Sequence, residues 1–254
     1  MMDCVPLVPD RERSRAVWVS RMAYRLSRHW LLILGLLFLL FMGLPWLAPV
    51  FMKLGWTSAG NAIYLIYSFE CHQLPQRAYF LFGQKMTYAL AEIQAAWQPT
   101  NDLLILRQFT GNPEMGWKVA WCERSTWMYA SMFVSGLVYG TVRQRLKPLS
   151  LWIFVLLALP MAIDGGTHFI SDLFGIGNGF RDNNAWLAAL TKNSLPAAFY
   201  AGDALGSLNS WMRIATGVLF GIGFAWLAYP QFGDWFAEVA RAIESKFQKA
   251  SLSL

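Results

Sequence analysis

The sequence predicts an all-α, polytopic membrane protein: four transmembrane helices, helical external loops and a C-terminal amphipathic helix at the membrane interface. Three observations predict it. Of the 254 residues, 56% are hydrophobic and only 14% charged, whereas soluble chains carry about 25% charged residues. Six arginines within Arg11–Arg28 precede the uncharged run Trp30–Val50, and basic residues flanking an apolar run are a topology signal. Three further apolar runs follow, separated by polar or basic stretches. The net charge of +6 does not point to nucleic acid, because no basic face interleaved with polar or aromatic readers accompanies it.

In chain order, residues 1–29 read as a basic cytoplasmic segment, 30–229 as the four-span membrane domain and 230–254 as the amphipathic helix. Trp30–Val50 is long enough to cross a ~30 Å hydrocarbon core. It lacks a small-x-small cleavage site, so it reads as a retained signal anchor, which Pro45 and Pro49 are expected to kink or end. Lys53–Lys118 mixes aromatics, amides and charges, with short helices expected over Asn61–Glu70 and Gln84–Trp97. The second span runs from Val119 to Val142, the third from Leu149 to Ile170 and the fourth from Ser210 to Tyr229. Beyond it, Phe232, Phe236, Val239, Ile243 and Phe247 recur at helical spacing, which predicts a helix lying on the membrane surface. Gly136-x-x-x-Gly140 and Gly217-x-x-x-Gly221 permit close helix contact.

Orientation follows from lysine and arginine. With both termini cytoplasmic, the N-terminal segment, the Arg143–Lys147 loop and the tail hold six, three and three of the 21 basic residues, as the positive-inside rule requires. The expected location is therefore a cell membrane, with both termini in the cytoplasm. This topology brings ionisable groups to one side. Cys122 and Arg124 open the second span, Asp164 and His168 close the third, Arg213 lies in the first turn of the fourth, and Cys71, His72 and Arg77 lie in the first external loop. Cys4 falls on the opposite side. A charge at mid-span costs ~2.5–3.5 kcal/mol on insertion scales and faces the bundle interior or water, so three spans charged at one level predict a shared polar site.

The chemistry at that site centres on Tyr67–Tyr79, which holds a thiol, an imidazole, a carboxylate, amides and a guanidinium. Asp164 and His168 are four apart and share a helix face, as an acid–base pair or a metal pair would. Cys71 and Cys122, both external, are a ready disulfide pair. The alternative is a zinc site using Cys71, His72 and Cys122 with His168 or Asp164, although adjacent Cys-His is a poor spacing for one ion. Arg77, Arg124, Arg181 and Arg213 form either an anion site for a lipid headgroup or phosphate, or ion pairs with Glu70, Glu123, Asp164 and Asp182.

Four motifs together resemble the prokaryotic membrane family known as domain of unknown function 2085. They are Cys71-His-Gln-Leu-Pro-Gln-Arg-Ala78, Cys122-Glu-Arg-Ser-Thr-Trp-Met-Tyr129, Asp164-Gly-Gly-Thr-His168 and Arg213-Ile-Ala-Thr-Gly217. Against the family pattern, Gln76 stands for glutamate, Ala78 for serine, Ser125 for cysteine, Trp127 for glycine and His168 for glutamine. The resemblance implies that a three-cysteine, one-histidine metal site would be incomplete here, which favours a Cys71–Cys122 disulfide or a site rebuilt around His168. It supplies no reaction.

Two functions are carried forward. The first is an enzyme, or a former enzyme, acting at the outer face on a membrane-associated substrate, with Asp164 and His168 catalytic and Arg77, Arg124 and Arg213 holding anionic groups. The second is a non-catalytic accessory subunit of a larger membrane complex, its partners being the lipid bilayer, other subunits or an anionic lipid. Four spans without an evident repeat or broken-helix pair argue against a transporter.

Overall fold

A computed structural model describes residues 10–143 and 146–253, so Cys4 and part of the Arg143–Lys147 loop lie outside the described residues. The chain folds into ten helices and three strands among those residues. In order these are α1 (Asp10–Lys53), α2 (Thr57–Tyr67), β1 (Ala78–Leu81), α3 (Leu90–Ala96), α4 (Leu103–Leu106), β2 (Gly111–Asn112), β3 (Gly116–Cys122) and α5 (Glu123–Val142). After them come α6 (Leu151–Asp172), α7 (Phe180–Asn183), α8 (Ala185–Leu190), α9 (Ala197–Tyr200) and α10 (Leu208–Lys249). Three helices, α1, α6 and α10, are long and apolar enough to cross a membrane. α5 has the length, 20 residues, but Glu123, Arg124 and several hydroxyl residues dilute its apolar character, and it is not among the three.

The helices reach further than the sequence suggests. α1 is 44 residues long and α10 is 42, roughly 65 Å each at 1.5 Å per residue. From Asp10 on, the basic N-terminal segment is part of the same helix. It continues into the apolar run and departs from helical geometry only at His29 (φ −113°, ψ 16°), where charge gives way to hydrophobicity. Pro45 and Pro49 lie inside α1, which runs on to Lys53 rather than ending at them. The tail is likewise continuous with the fourth apolar run through Pro230. Its apolar side turns toward α1 rather than lying free: Trp30 stacks on Phe236 at 5.3 Å, and Tyr24 donates to Glu244 at 2.8 Å. Arg21 reaches the Ser253 carbonyl at 2.8 Å. The ends of α1 and α10 thus run antiparallel beyond the apolar stretches.

The expectation of an all-α protein needs correcting. β1, β3 and β2 form an antiparallel sheet with β3 in the centre, pairing Ala78 with Cys122, Phe80 with Lys118 and Gly111 with Trp117. Val119–Cys122, read from sequence as the start of a span, is the end of β3. Two things explain the misreading. Val119, Ala120 and Trp121 are all fully buried, so the strand lacks the period-2 alternation that would identify it. It also runs directly into α5, leaving no turn signal between them. The hairpin is closed where Asn112 Oδ1 accepts the N–H groups of Glu114 and Met115, and Gly116 takes φ +78°, a conformation glycine adopts at no steric cost. The short helices fall at Thr57–Tyr67 and Leu90–Ala96, within or beside the expected stretches.

Helix contact follows the glycines. A Cβ on Gly221 would lie 2.4 Å from the Met128 carbonyl, and one on Gly217 2.8 Å from that of Arg124, so α10 approaches the α5 backbone as small residues permit. α6 has the opposite character. Its only buried residues are Asp164, His168 and Ser171, while Leu156, Ile163 and Phe169 face outward. A helix that hides polar groups and exposes apolar ones suits a hydrocarbon surround.

Candidate functional site

The polar residues converge where the sheet meets the helices. The 3₁₀ turn Pro75–Arg77 delivers Arg77. The β3–α5 junction delivers Cys122, Glu123 and Arg124, the last turns of α6 deliver Asp164, His168 and Asp172, and the start of α10 delivers Arg213. Arg181 and Asp203 come from the segment between α6 and α10.

Four arginines and four carboxylates interlock. Arg77 makes a two-pronged contact with Asp172, both bonds 2.7 Å, and its Nε reaches Asp203 at 2.7 Å. Arg213 bonds Glu123 Oε2 at 2.9 Å and Asp203 Oδ1 at 2.6 Å, and also donates to the Asp203 carbonyl. Asp164 accepts from Arg124 at 2.5 Å and from Arg181 at 2.6 Å. Ser210 completes Glu123 at 3.0 Å. Burial pushes the Asp203 carboxyl upward, but Arg77 and then Arg213 outweigh it and hold the group well below the usual carboxylate range. Paired, hydrogen-bonded charges are the form in which buried charge is tolerated.

The ion-pair reading of the arginines is therefore right in kind and half right in partners. Glu123 and Asp164 serve. Glu70 is exposed, and Asp182 instead accepts the Gly179 N–H at 2.8 Å. Asp172 and Asp203 take their places. Asp172 had a signal in the sequence, since Asp164, His168 and Asp172 follow one another at i+4; Asp203, in an irregular segment, had none. Arg181 is fixed through its backbone, donating to Ser171 Oγ and giving its carbonyl to Asn184 and Asn209.

Asp164 and His168 share the expected face but do not form a dyad. Their closest approach is 3.9 Å, too long for a hydrogen bond, because Arg181 Nη2 lies 3.2 Å from His168 Nε2. A guanidinium has no acceptor, so Nε2 accepts and the ring proton resides on Nδ1, which has no hydrogen-bond partner among the described residues. The two glycines between them leave α6 unbroken, and Gly165 makes room for Arg124, whose Nη1 would stand 2.9 Å from a Cβ there.

Cys71, His72, Arg77, Cys122, Arg124, His168 and Arg213 surround one cavity of about 80 Å³. His72 is exposed at its rim and Cys71 is buried. Cys71 and Cys122 are free thiols, with the Cys122 N–H 3.3 Å from Cys71 Sγ and Ser125 Oγ 3.4 Å from Cys122 Sγ. The zinc expectation finds no support: among the described residues no three His, Cys, Asp or Glu side chains converge as metal ligands. The carboxylates beside His168 are engaged by arginine, and His72 points to solvent.

Lys118 escaped sequence reading altogether. It is fully buried in β3, donating to the carbonyls of Gln73 at 2.8 Å and Arg107 at 2.6 Å. Burial pushes its pKa down to about 7. It ties the Cys71 loop to the sheet.

Comparison with known proteins bears out the resemblance read from the motifs. Residues 114–227 match the family described as "Predicted membrane protein (DUF2085)", a stretch that includes Cys122, Asp164, His168 and Arg213 but not Cys71. An uncharacterized protein of Methanocaldococcus jannaschii is 27% identical over 152 residues, covering 57% of this chain and 76% of the relative. No solved structure matches the chain.

Proposed function

We propose that this chain spans the cell membrane four times, α5 being the fourth membrane helix, with both termini cytoplasmic, and that its extracytoplasmic cavity receives a small hydrogen-bond-accepting group of a membrane-associated substrate. The observation that carries the reading is the gathering of His168 and three arginines around one cavity, with His168 Nδ1 left without a partner among the described residues. A buried donor without a partner costs ~1–3 kcal/mol, which a ligand acceptor would recover. Arg77, Arg124 and Arg213 orient that group, and His168 is the proton-bearing residue. Asp164, held by two arginines, positions Arg124 and Arg181 and does not itself accept a substrate proton. Because four guanidiniums meet four carboxylates, the cavity suits a carbonyl or carboxylate better than a phosphate dianion.

Acetate is the probe. At constant ionic strength it should raise the unfolding temperature of the purified protein saturably, and His168→Ala should abolish the effect. The absence of any acetate effect in the parent protein would leave only a structural ion-pair lattice. For orientation, an impermeant maleimide applied to intact cells should label a cysteine placed at Asn178 and miss one at Ser245; the reverse pattern overturns the topology.

One observation favours the accessory-subunit reading. Phe69 is 88% exposed, and Phe174, Trp186 and Leu190 stand out from the same end of the protein, as a protein-facing or lipid-facing surface would. That reading expects co-purification with a larger assembly and wild-type behaviour of His168→Ala.

A further inference from the structure

The two thiols at the cavity differ in ways that a static crosslink does not need. Cys71 is 7% exposed and sits behind Cys122, which is partly exposed where β3 passes into α5. The Cys122 N–H lies 3.3 Å from Cys71 Sγ, which sets the two residues side by side. Cys122 is the N-cap of a 20-residue helix, where the unpaired N–H groups favour negative charge. Arg124 lines the cavity with it, and Ser125 Oγ stands 3.4 Å from its sulfur. A thiol at a helix N-terminus beside arginine is held toward the thiolate, the form that attacks disulfides. The neighbouring Cys71 acts in the same direction on Cys122, while Cys71 itself is pushed the other way, first by that neighbour and then by burial. His72, exposed at the rim, marks where a small molecule would enter.

We propose that Cys71 and Cys122 are an exchangeable dithiol that reduces a small disulfide, with Cys122 the attacking sulfur and Cys71 the resolving one. The Cys122 thiolate attacks one sulfur of the disulfide, its S–S bond breaks, and the first thiolate leaves and takes up a proton. Cys71 then attacks Cys122 Sγ, expelling the second thiolate, which takes the Cys71 proton. The substrate gains two electrons and two protons; the protein ends with a Cys71–Cys122 disulfide. The inference borrows from the proposed function only the placing of the cavity outside the cytoplasm.

The test uses purified, reduced protein carrying Cys4→Ser, with oxidised glutathione as the probe. The expected products are an internal disulfide and two released glutathiones. Cys71→Ser should trap glutathione on Cys122, and Cys122→Ser should react at least about tenfold more slowly. Limiting N-ethylmaleimide on the unsubstituted pair guards against misfolded variants, and should modify Cys122 before Cys71. Glutathione lodging on Cys71 at a comparable rate, maleimide preferring Cys71, or no reaction of the folded protein would each overturn the proposal. Because the protein is purified, these outcomes are independent of membrane orientation, which the Asn178 and Ser245 labelling decides separately.

Discussion

The two ends of the helical bundle differ in whether they bury charge. At the end where α1 begins and α10 finishes, ring packing is inside and charges are outside. Trp30, 5% exposed, lies 5.3–6.4 Å from the rings of Phe236, Tyr139, Tyr229 and Phe232, while Arg25, Arg28 and Arg241 face solvent. At the end bearing the sheet, rings such as Trp121 and Phe80 are buried too, but paired charges are buried with them, and Phe69 and Phe174 stand outside. Ring packing is graded: a somewhat different ring still fills most of the space. A buried ion pair is not graded, because removing one partner strands the other in a place water cannot reach. The sheet end is therefore the part of the molecule where geometry is specified, and the cavity lies there.

This difference can be broken first at Arg213. Arg213→Met leaves Glu123 buried with only Ser210 as a partner, and should cost about 3–5 kcal/mol in a mixed-micelle unfolding titration. Adding Glu123→Leu should recover at least half of that loss, since the stranded charge is then gone; a double variant no more stable than the single one would show that packing around Arg213, and not its charge, matters. At the other end, Trp30→Phe should cost roughly 1–2 kcal/mol, and Trp30→Ala roughly 3 kcal/mol. A Trp30→Phe loss as large as that of Arg213→Met would erase the contrast.

How much of this was legible depended on whether a residue's setting repeats along the chain. The long helices were legible because apolar runs and basic flanks report the solvent around them, and the order of those runs was enough to expect Cys71, Cys122, Asp164, His168 and Arg213 at one end. Partner choice was not legible. Whether Asp164 faced His168 or an arginine turned on Arg181, which is placed by Ser171, Asn184 and Asn209 rather than by any periodicity. The sheet was hidden because β3 is buried throughout and merges into α5. The apolar spacing of the tail would serve a membrane surface and a partner helix alike, and sequence does not distinguish them.

Lys118 sharpens the comparison at its finest scale, being the buried charge at the sheet end that has carbonyls rather than a carboxylate for partners. Its folded pKa is pushed down to about 7 by burial, against ~10.4 for an unfolded lysine. Between those values the unfolded chain holds a proton that the folded protein does not, so stability rises with pH across roughly 7 to 10 and is lowest below 7, where both forms are charged. The limiting slope for one proton is about 1.4 kcal/mol per pH unit. Unfolding titrations at pH 7, 8 and 9 should therefore show the parent protein gaining stability relative to Lys118→Met at each step. Curves that stay parallel would mean that two carbonyls and the face of Tyr64, 5.9 Å away, keep the ammonium charged in the folded protein. In that case Lys118 would belong with the arginines as a fixed charge.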